Sequence, residues 1–257
     1  MTQPSHQPST GVLITGGASG IGLASADAVA AVGRSVALID RDGDRVHDAA
    51  ERVAQEHGVD AVGLAVDVTG DADVLSEVVV TCGAAIGPIG GLVHAAGAVL
   101  VASVDEITVA QWDSVLEVNL RAYVMISQAV LPEIRRAGPG GSIVGVASIE
   151  ALLGQPAIPA YCASKAGVLG ATRSMAQHLA PEGIRVNAVC PGYVRTPMLA
   201  PALTHPGVEE HMIGQTPLGR LAEPMEIGRV VRFLLSDEAS YVTGIELAVD
   251  GGLTHRG

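Results

Sequence analysis

Short runs of β-branched and other aliphatic residues alternate with longer helical stretches along almost the whole 257-residue sequence. The runs are apolar on both faces, which is typical of strands in a parallel sheet that is covered by helices on both sides. Aromatic residues make up only 2% of a chain that is 48% hydrophobic, so we expect Ala, Val, Leu and Ile to fill the core. The pattern predicts an α/β fold in one domain, a Rossmann-like, doubly wound parallel sheet of about seven strands with helices on both faces.

The alternation also sets the expected limits of each element. The strands are expected at Val12–Ile14, Val36–Ile39, Ala61–Val66, Leu92–Val93, Ser142–Ala147, Arg185–Val189 and Glu246–Val249. The helices are expected at Gly20–Val32, Asp44–Glu56, Asp71–Ile86, Thr108–Arg136, Pro159–Leu179 and Pro224–Leu235. A loop rich in Pro and Gly, Pro191–Gly219, precedes the last helix, and residues 1–10 are expected to form a flexible tail.

The first strand runs into a glycine-rich turn that opens the first helix. Glycines in such a turn let the backbone approach a pyrophosphate closely, and the helix N-terminus favours its negative charge. The three residues between Gly16 and Gly20 depart from the common dinucleotide fingerprint, but the strand-turn-helix context supports a nucleotide site. The residues expected to contact the cofactor here are Gly16, Ser19, Gly20, Ile21 and Gly22.

Asp40 ends the second strand, 18 residues after Gly22, where a carboxylate can accept hydrogen bonds from the adenosine ribose hydroxyls. The same charge repels the additional phosphate of NADP. Arg41 follows directly and could instead bind that phosphate, but Ser19 in the turn offers no second cation. A further alternative is that Asp40 only caps the turn. We expect Asp40 and Arg41 to lie at the cofactor, and the cofactor to be NAD.

Lys165 is the single lysine beside 14 arginines, and it stands four positions after Tyr161. Residues four apart share a helix face, so the phenol and the ammonium can reach one pocket. A free tyrosine titrates near pH ~10, and one positive charge about 4 Å away supplies roughly the 4 kcal/mol that would bring this pKa to about 7. The pair predicts that Lys165 lowers the pKa of Tyr161 and makes it an acid–base group. The alternative is a lysine left by chance on a solvated helix face.

These motifs have the order and spacing of a known family, and the sequence from Gly11 to Gly252 resembles a short-chain dehydrogenase/reductase. The Thr-Gly-x-x-x-Gly-x-Gly turn matches Thr15 to Gly22, and Tyr-x-x-x-Lys matches Tyr161 and Lys165. Further matches are Asp67-Val68, His94-Ala95-Ala96-Gly97, Asn119, Ser148, Pro191-Gly192 and Thr196. The resemblance implies that residues 11–257 form a single NAD-binding catalytic domain with a substrate loop around 193–217.

The resemblance also implies a catalytic set. Tyr161 would exchange a proton with the substrate oxygen, and Ser148 would hydrogen-bond the same oxygen. Lys165 would bind the nicotinamide ribose, and Asn119 would hold a water in a proton path to solvent. The implied cofactor contacts are Asp67, Val68, His94, Ala95, Ala96, Gly97, Tyr161, Lys165, Pro191, Gly192, Val194 and Thr196.

His94 departs from the family, whose motif usually begins with asparagine. A histidine here is either a packed replacement for the amide or a group that titrates beside the cofactor. The residues expected to line the substrate pocket are Ser148, Glu150, Leu152, Gln155, Tyr161, Tyr193, Met198 and Leu199. They are mainly apolar with one carboxylate, which favours a neutral, moderately hydrophobic alcohol or ketone. Glu150 could instead face solvent, and Arg195 and His211 could approach from the rim.

Composition excludes several classes of function. A net charge of −12 argues against a nucleic-acid partner. No apolar run reaches the roughly 18 residues that a membrane span needs, and the polar N-terminus lacks a signal pattern. Three cysteines, Cys82, Cys162 and Cys190, have no metal-ligand spacing, so we expect no metal and a cytoplasmic protein with reduced thiols.

Three functions remain open at this point. The leading hypothesis is an NAD-dependent oxidoreductase that interconverts a secondary alcohol and a ketone, with Tyr161 as acid and base. The alternatives are a 3-oxoacyl-thioester reductase of fatty-acid synthesis and a non-catalytic NAD-binding regulator. A homotetramer is also expected, because the helices at 108–136 and 159–179 carry apolar residues on more than one face. The residues on which this rests are Val115, Leu116, Tyr123, Val124, Leu169 and Met175.

Overall fold

The computed structural model describes residues 9–255, so most of the expected tail at residues 1–10 lies outside the described residues. A seven-stranded sheet forms the centre of the molecule, and all of its strand pairs are parallel. The strand order is β3-β2-β1-β4-β5-β6-β7. The strands are β1 (Gly11–Thr15), β2 (Val36–Asp40), β3 (Ala61–Ala65), β4 (Ile89–His94), β5 (Ser142–Val146), β6 (Arg185–Pro191) and β7 (Glu246–Val249). The predicted doubly wound parallel sheet is confirmed.

Ten α-helices accompany the sheet within the described range. They are α1 (Gly20–Ala30), α2 (Gly43–His57), α3 (Ala72–Ile86), α4 (Val109–Leu116), α5 (Ala122–Ala137), α6 (Glu150–Leu153), α7 (Pro159–Leu179), α8 (Ala200–Leu203), α9 (Val208–Gln215) and α10 (Pro224–Leu235). In this part of the chain, no helix combines the length and the hydropathy that a bilayer crossing requires.

Two hydrophobic cores cover the two faces of the sheet. One packs α1, α2 and α10 against the sheet, and the other packs α3, α5 and α7 against the opposite face. Apart from Tyr123 and two cysteines, the buried members are aliphatic, as the scarcity of aromatic residues predicts. Strands that are buried on both faces read as continuous apolar runs, which is why their positions could be predicted from the sequence.

The stretch expected as one helix from Thr108 to Arg136 is interrupted. A π-helical turn, Glu117–Arg121, separates α4 from α5, and in this turn the Ala122 N–H donates to the carbonyl of Glu117. In an α-helix that N–H would reach the carbonyl of Val118 instead. Helical periodicity in the sequence does not reveal a single extra residue, so the interruption was not predicted. The expected loop Pro191–Gly219 likewise contains α8 and α9.

The apolar residues that suggested a tetramer divide into two groups. Val115, Tyr123 and Leu169 are at most 4% exposed and belong to the core of the single chain. They therefore give no support to an interface between subunits. Leu116, Val124 and Met175 keep part of their surface exposed.

Candidate active site

The candidate site lies at the carboxyl ends of the central strands. The chain leaves β1 towards β2 on one side and returns to β4 on the other, so a crevice opens between β1 and β4. Ligands of open α/β sheets bind at this point because the connecting loops diverge there. The glycine turn follows β1, and the segment from Ala95 to Gly97 follows β4.

The glycine turn is too tightly packed for side chains. Gly16 has a positive φ of 65°, and a Cβ there would lie 2.7 Å from the backbone nitrogen of Ala96. At Gly22 a Cβ would lie 2.1 Å from the carbonyl oxygen of Gly16. Helix α1 begins here with no capping side chain and no acidic residue in its first turn. Its first N–H groups are therefore available to a phosphate, and the turn fits a dinucleotide.

Asp40 lies at the edge of this turn. Its carboxylate accepts hydrogen bonds from the Ala18 N–H and from the Asp42 N–H, both at 3.2 Å. These contacts orient the carboxylate but leave each oxygen with a further lone pair, which could accept a ribose hydroxyl. Ser19 and Ile21 in the turn are half-buried, and Arg41 is exposed beside the site.

Asp67 and Val68 continue the same crevice after β3. Asp67 accepts hydrogen bonds from the backbone and the hydroxyl of Thr69, at 2.9 and 2.8 Å, and these lower the pKa of its carboxyl. The charge of Arg41 lowers the pKa of Asp67 further. Val68 is buried.

His94 is packed beneath the cofactor crevice. The hydroxyl of Thr15 accepts the Ala96 N–H and forms a second hydrogen bond with Nδ1 of His94, both at 3.0 Å. The Thr15 hydroxyl therefore joins the backbone of Ala96 to the His94 ring. The His94 ring also packs against Tyr123, with 5.5 Å between ring centroids.

Burial and the charge of Lys165 lower the pKa of His94 to about 3, so the ring is neutral at physiological pH. This agrees with a packed histidine and not with a group that titrates beside the cofactor. Among the described residues, Nε2 of His94 has no hydrogen-bond partner, and the backbone of Val118 partly offsets the lowering of the pKa. Thr15, which joins His94 to Ala96, begins the glycine-turn motif but was not predicted as a site residue, because the motif does not show where its hydroxyl points.

Ser148, Tyr161 and Lys165 meet where β5 and α7 approach each other. Nζ of Lys165 lies 5.6 Å from the centroid of the Tyr161 ring, so the two side chains share a helix face as predicted. The ammonium donates to the carbonyl of Val146 at 2.7 Å and is only 4% exposed. A Cβ at Gly97 would lie 3.5 Å from Nζ, which places the segment after β4 directly beside the lysine.

The predicted lowering of the Tyr161 pKa is wrong for the structure as it stands. Burial raises the pKa of Tyr161 to about 12, while the nearby Ser148 hydroxyl lowers it and Glu150 and Cys162 raise it. Burial also lowers the pKa of Lys165 to about 8. The prediction from the sequence included the attraction between the Tyr161 phenolate and the Lys165 ammonium. It did not include the cost of removing both groups from water, and here that cost is the larger effect.

Asn119 is fully buried in the π-helical turn, and protein groups use its side chain. Its Oδ1 accepts the Ala98 N–H at 2.7 Å, and its amide donates to the Ala98 carbonyl and to the Ser164 hydroxyl, both at 2.9 Å. Asn119 therefore ties the loop after β4 to helix α7. Ser164, inside the Tyr-x-x-x-Lys motif, was not recognised as its partner.

The segment after β6 closes the crevice from the other side. A Cβ at Gly20 would lie 3.4 Å from a methyl carbon of Thr196, so Thr196 faces the glycine turn. Val194 is buried and pairs with Ala222, while Pro191 and Gly192 lead out of the strand. A Cβ at Gly192 would lie 2.9 Å from the backbone of Asp250.

The expected substrate residues form a partly open surface above Tyr161. Leu152, Met198 and Gln155 are exposed, whereas Glu150, Tyr193 and Leu199 are half-buried. The Tyr193 hydroxyl donates to Gln215 at 3.1 Å, which attaches α9 to this surface. Arg195 forms ion pairs with Glu209 and Glu223 at the rim, and His211 is exposed on α9.

One group of possible metal ligands, Asp27, Glu56 and His57, lies outside this site. Arg52 donates two hydrogen bonds to Asp27 and one to Glu56, and His57 also contacts Asp27. This arrangement is a network of ion pairs between α1 and α2, with a guanidinium where a metal would otherwise stand.

Comparison with known proteins agrees with the geometry. A family described as enoyl-(acyl carrier protein) reductase matches residues 16–254. The 2-(S)-hydroxypropyl-CoM dehydrogenase 3 of Xanthobacter autotrophicus is 38% identical over 95% of this chain and 96% of its own length. The cyclopentanol dehydrogenase of Comamonas sp. is 40% identical over 95% and 96%.

Solved structures show the same fold. A short-chain type dehydrogenase/reductase from Mycobacterium marinum superposes with a TM-score of 0.91, at 31% identity over 98% of each chain. A structure described as a 2-deoxy-D-gluconate 3-dehydrogenase from Agrobacterium tumefaciens, with bound NADP, gives 0.85 at 31% identity over 97% of this chain and 98% of that one.

Proposed function

This chain belongs to the short-chain dehydrogenase/reductase family, and from that premise we propose that it is an NAD-dependent enzyme interconverting a secondary alcohol and a ketone. The observation that carries the proposal is the meeting of Ser148, Tyr161 and Lys165 at the mouth of the crevice. Two hydroxyl groups that converge beside a buried ammonium suit a reaction at one carbon–oxygen bond.

The glycine turn, Asp40, Lys165 and Thr196 would hold the cofactor in the crevice. When bound, NAD supplies a hydride acceptor, and NADH supplies the hydride for the reverse reaction. Lys165, which lies beside Gly97, is placed to donate hydrogen bonds to ribose hydroxyls in addition to the Val146 carbonyl.

In its phenolate form, Tyr161 would accept the hydroxyl proton of the alcohol as the carbon–hydrogen bond breaks, and the resulting phenol would return the proton when the ketone is reduced. Ser148 would donate to the same oxygen and stabilise the charge that develops there, a contribution typically worth about 3 kcal/mol. Asn119 would hold the loop at Ala98 and helix α7 in a fixed relation while the proton moves.

NAD is proposed over NADP because Asp40 ends β2 beside the glycine turn, where its carboxylate would repel the extra phosphate. The only cation in its immediate sequence is Arg41, and the charge of Arg41 already acts on Asp67. A solved structure that is 31% identical to this chain has NADP bound, so rates with both cofactors test the choice. The free state of Cys82, Cys162 and Cys190 supports the proposal of a cytoplasmic enzyme.

Two other functions compete. A 3-oxoacyl-thioester reductase would need a basic surface for an acidic carrier protein, and the net charge of −12 opposes this. A non-catalytic NAD-binding regulator would not need Ser148 and Tyr161 on one pocket. The description of the matched family, enoyl reduction, is best tested directly with an enoyl thioester.

Initial rates should be measured with cyclopentanol and other secondary alcohols, with NAD and with NADP, and with 3-oxoacyl and enoyl thioesters in the reductive direction. We expect oxidation of alcohols with NAD, and a loss of at least about 100-fold in Tyr161→Phe. Faster reduction of a thioester than of any simple ketone would instead favour the carrier-protein alternatives.

A further inference from the structure

We propose that Glu150 makes the substrate site select neutral or cationic secondary alcohols over anionic ones. This inference rests on the proposed function and narrows its substrate class. It assigns a role to a carboxylate that the sequence could equally place in solvent.

Glu150 is fixed next to the reacting groups. It follows Ser148 by two residues, and its N–H donates to the Ser148 hydroxyl oxygen at 3.2 Å. It begins α6, which packs against α7, the helix that carries Tyr161. This hydrogen bond fixes the backbone of Glu150 beside Ser148, so its side chain begins next to the reacting groups.

The carboxylate is half-buried, and its charge reaches both tyrosines of the pocket. Burial raises the pKa of Glu150 itself. Burial is the main cause of the raised pKa of Tyr161, Tyr193 and Cys162, and the charge of Glu150 raises each of them further. Because Tyr161 would contact the substrate oxygen, a charged substituent on the substrate would lie near Glu150.

No positive charge balances Glu150 within residues 9–255, where it takes part in no ion pair. Arg195 at the rim is already paired with Glu209 and Glu223. Lys165 is buried and bound to the Val146 carbonyl, on the cofactor side of Tyr161. A carboxylate or sulfonate on the substrate would therefore meet Glu150 without a counter-charge, whereas an ammonium group would be attracted.

Three cyclohexanols with the same carbon skeleton distinguish the effect of substrate charge from that of substrate shape. They are 4-hydroxycyclohexanecarboxylate, its carboxamide and 4-(aminomethyl)cyclohexanol. At pH 7.5 we expect kcat/KM for the carboxamide to exceed that for the carboxylate by at least about tenfold, which corresponds to about 1.4 kcal/mol. In Glu150→Gln, the ratio of kcat/KM for the carboxylate to that for the carboxamide should rise at least about fivefold. The corresponding ratio for the amine to the carboxamide should fall.

The matched control is Glu77→Gln, which removes the same charge from the exposed surface of α3 and should leave both ratios unchanged. Should Glu150→Gln not fold, added salt serves instead, because screening should raise the carboxylate-to-carboxamide ratio of the wild type. Equal wild-type use of the carboxylate and the carboxamide, or ratios that do not respond to Glu150→Gln, overturns the inference while the dehydrogenase activity stands. No oxidation of these alcohols or of cyclopentanol would overturn the proposed function as well.

Discussion

Lys165 is buried, and burial disfavours the charged form of its side chain. The sequence predicted its partnership with Tyr161 because two residues four apart on a helix must share a face. It could not predict the direction of the pKa shifts, because desolvation depends on atoms that come from β5, α6 and the segment after β4. Burial of a charged lysine costs stability, so its retention as the single lysine is best explained by the chemistry of the site.

Replacing Lys165 by Arg should impair turnover by at least about 100-fold although the positive charge is kept. The guanidinium is planar and too broad for the space between Gly97 and the Val146 carbonyl. Lys165→Met should do at least as much harm. Steady-state rates measure the effect, and circular dichroism is the control for folding. A folded Lys165→Arg protein with near wild-type turnover would show that this lysine is incidental.

The affinity for NADH should fall as the pH rises above 8. The pKa of Lys165 in the free protein is lowered to about 8, so above that pH the side chain is a neutral amine and a poorer donor to ribose hydroxyls. Binding favours the protonated form, so Kd should rise towards tenfold per pH unit between pH 8 and 9.5. Titration by NADH fluorescence measures this, with Lys165→Met as the comparison. A wild-type Kd that does not change over this range would refute the link.

Among the elements, the sequence predicted strands and turns well and helix interruptions poorly. A buried parallel strand is a continuous apolar run between turns, which makes β1, β2 and β5 easy to recognise. The π-helical turn at Glu117–Arg121 is different, since one extra residue changes hydrogen bonds without changing the apolar periodicity. Its effect on the site is large, because it places Asn119 between Ala98 and Ser164.

At the end of β2, Asp40→Ser should shift cofactor choice towards NADP. The substitution removes the negative charge facing the 2′-phosphate and a hydrogen bond to the ribose, each worth roughly 1–3 kcal/mol. The NAD-to-NADP ratio of kcat/KM should fall by at least about tenfold. Asp42→Ser, two residues further along the chain and exposed, is the matched control and should change this ratio little. A wild type that already uses both cofactors equally would show that Asp40 does not discriminate.

For the whole molecule, crossovers between parallel strands are as a rule right-handed, so the alternation of strands and helices was enough to predict a doubly wound sheet. The number of subunits in the assembly was harder to predict from the sequence. An apolar residue on a second face of a helix can pack against its own chain, as Val115, Tyr123 and Leu169 do. The sequence does not distinguish such packing from a subunit interface.

We still expect a homotetramer, because Leu116, Val124 and Met175 remain partly exposed on the α4–α5 and α7 helices. Multi-angle light scattering should give about 104 kDa, four chains of 26.0 kDa. Replacing Val124 by Glu should shift the mass towards a smaller assembly, whereas Val80→Glu on the exposed face of α3 should not. A wild-type mass near 26.0 kDa would refute the expectation.

The central claim, that Tyr161 and its neighbours direct hydride transfer between a secondary alcohol and NAD, is tested most directly by isotope transfer. Cyclopentanol carrying deuterium on the carbinol carbon is incubated with the enzyme and NAD, and the mass of the reduced cofactor is measured by mass spectrometry. The account predicts one deuterium in each reduced cofactor molecule, slower turnover than with unlabelled alcohol, and no transfer in Tyr161→Phe above a trace. Reduced cofactor without deuterium, or equal transfer in Tyr161→Phe, would contradict it.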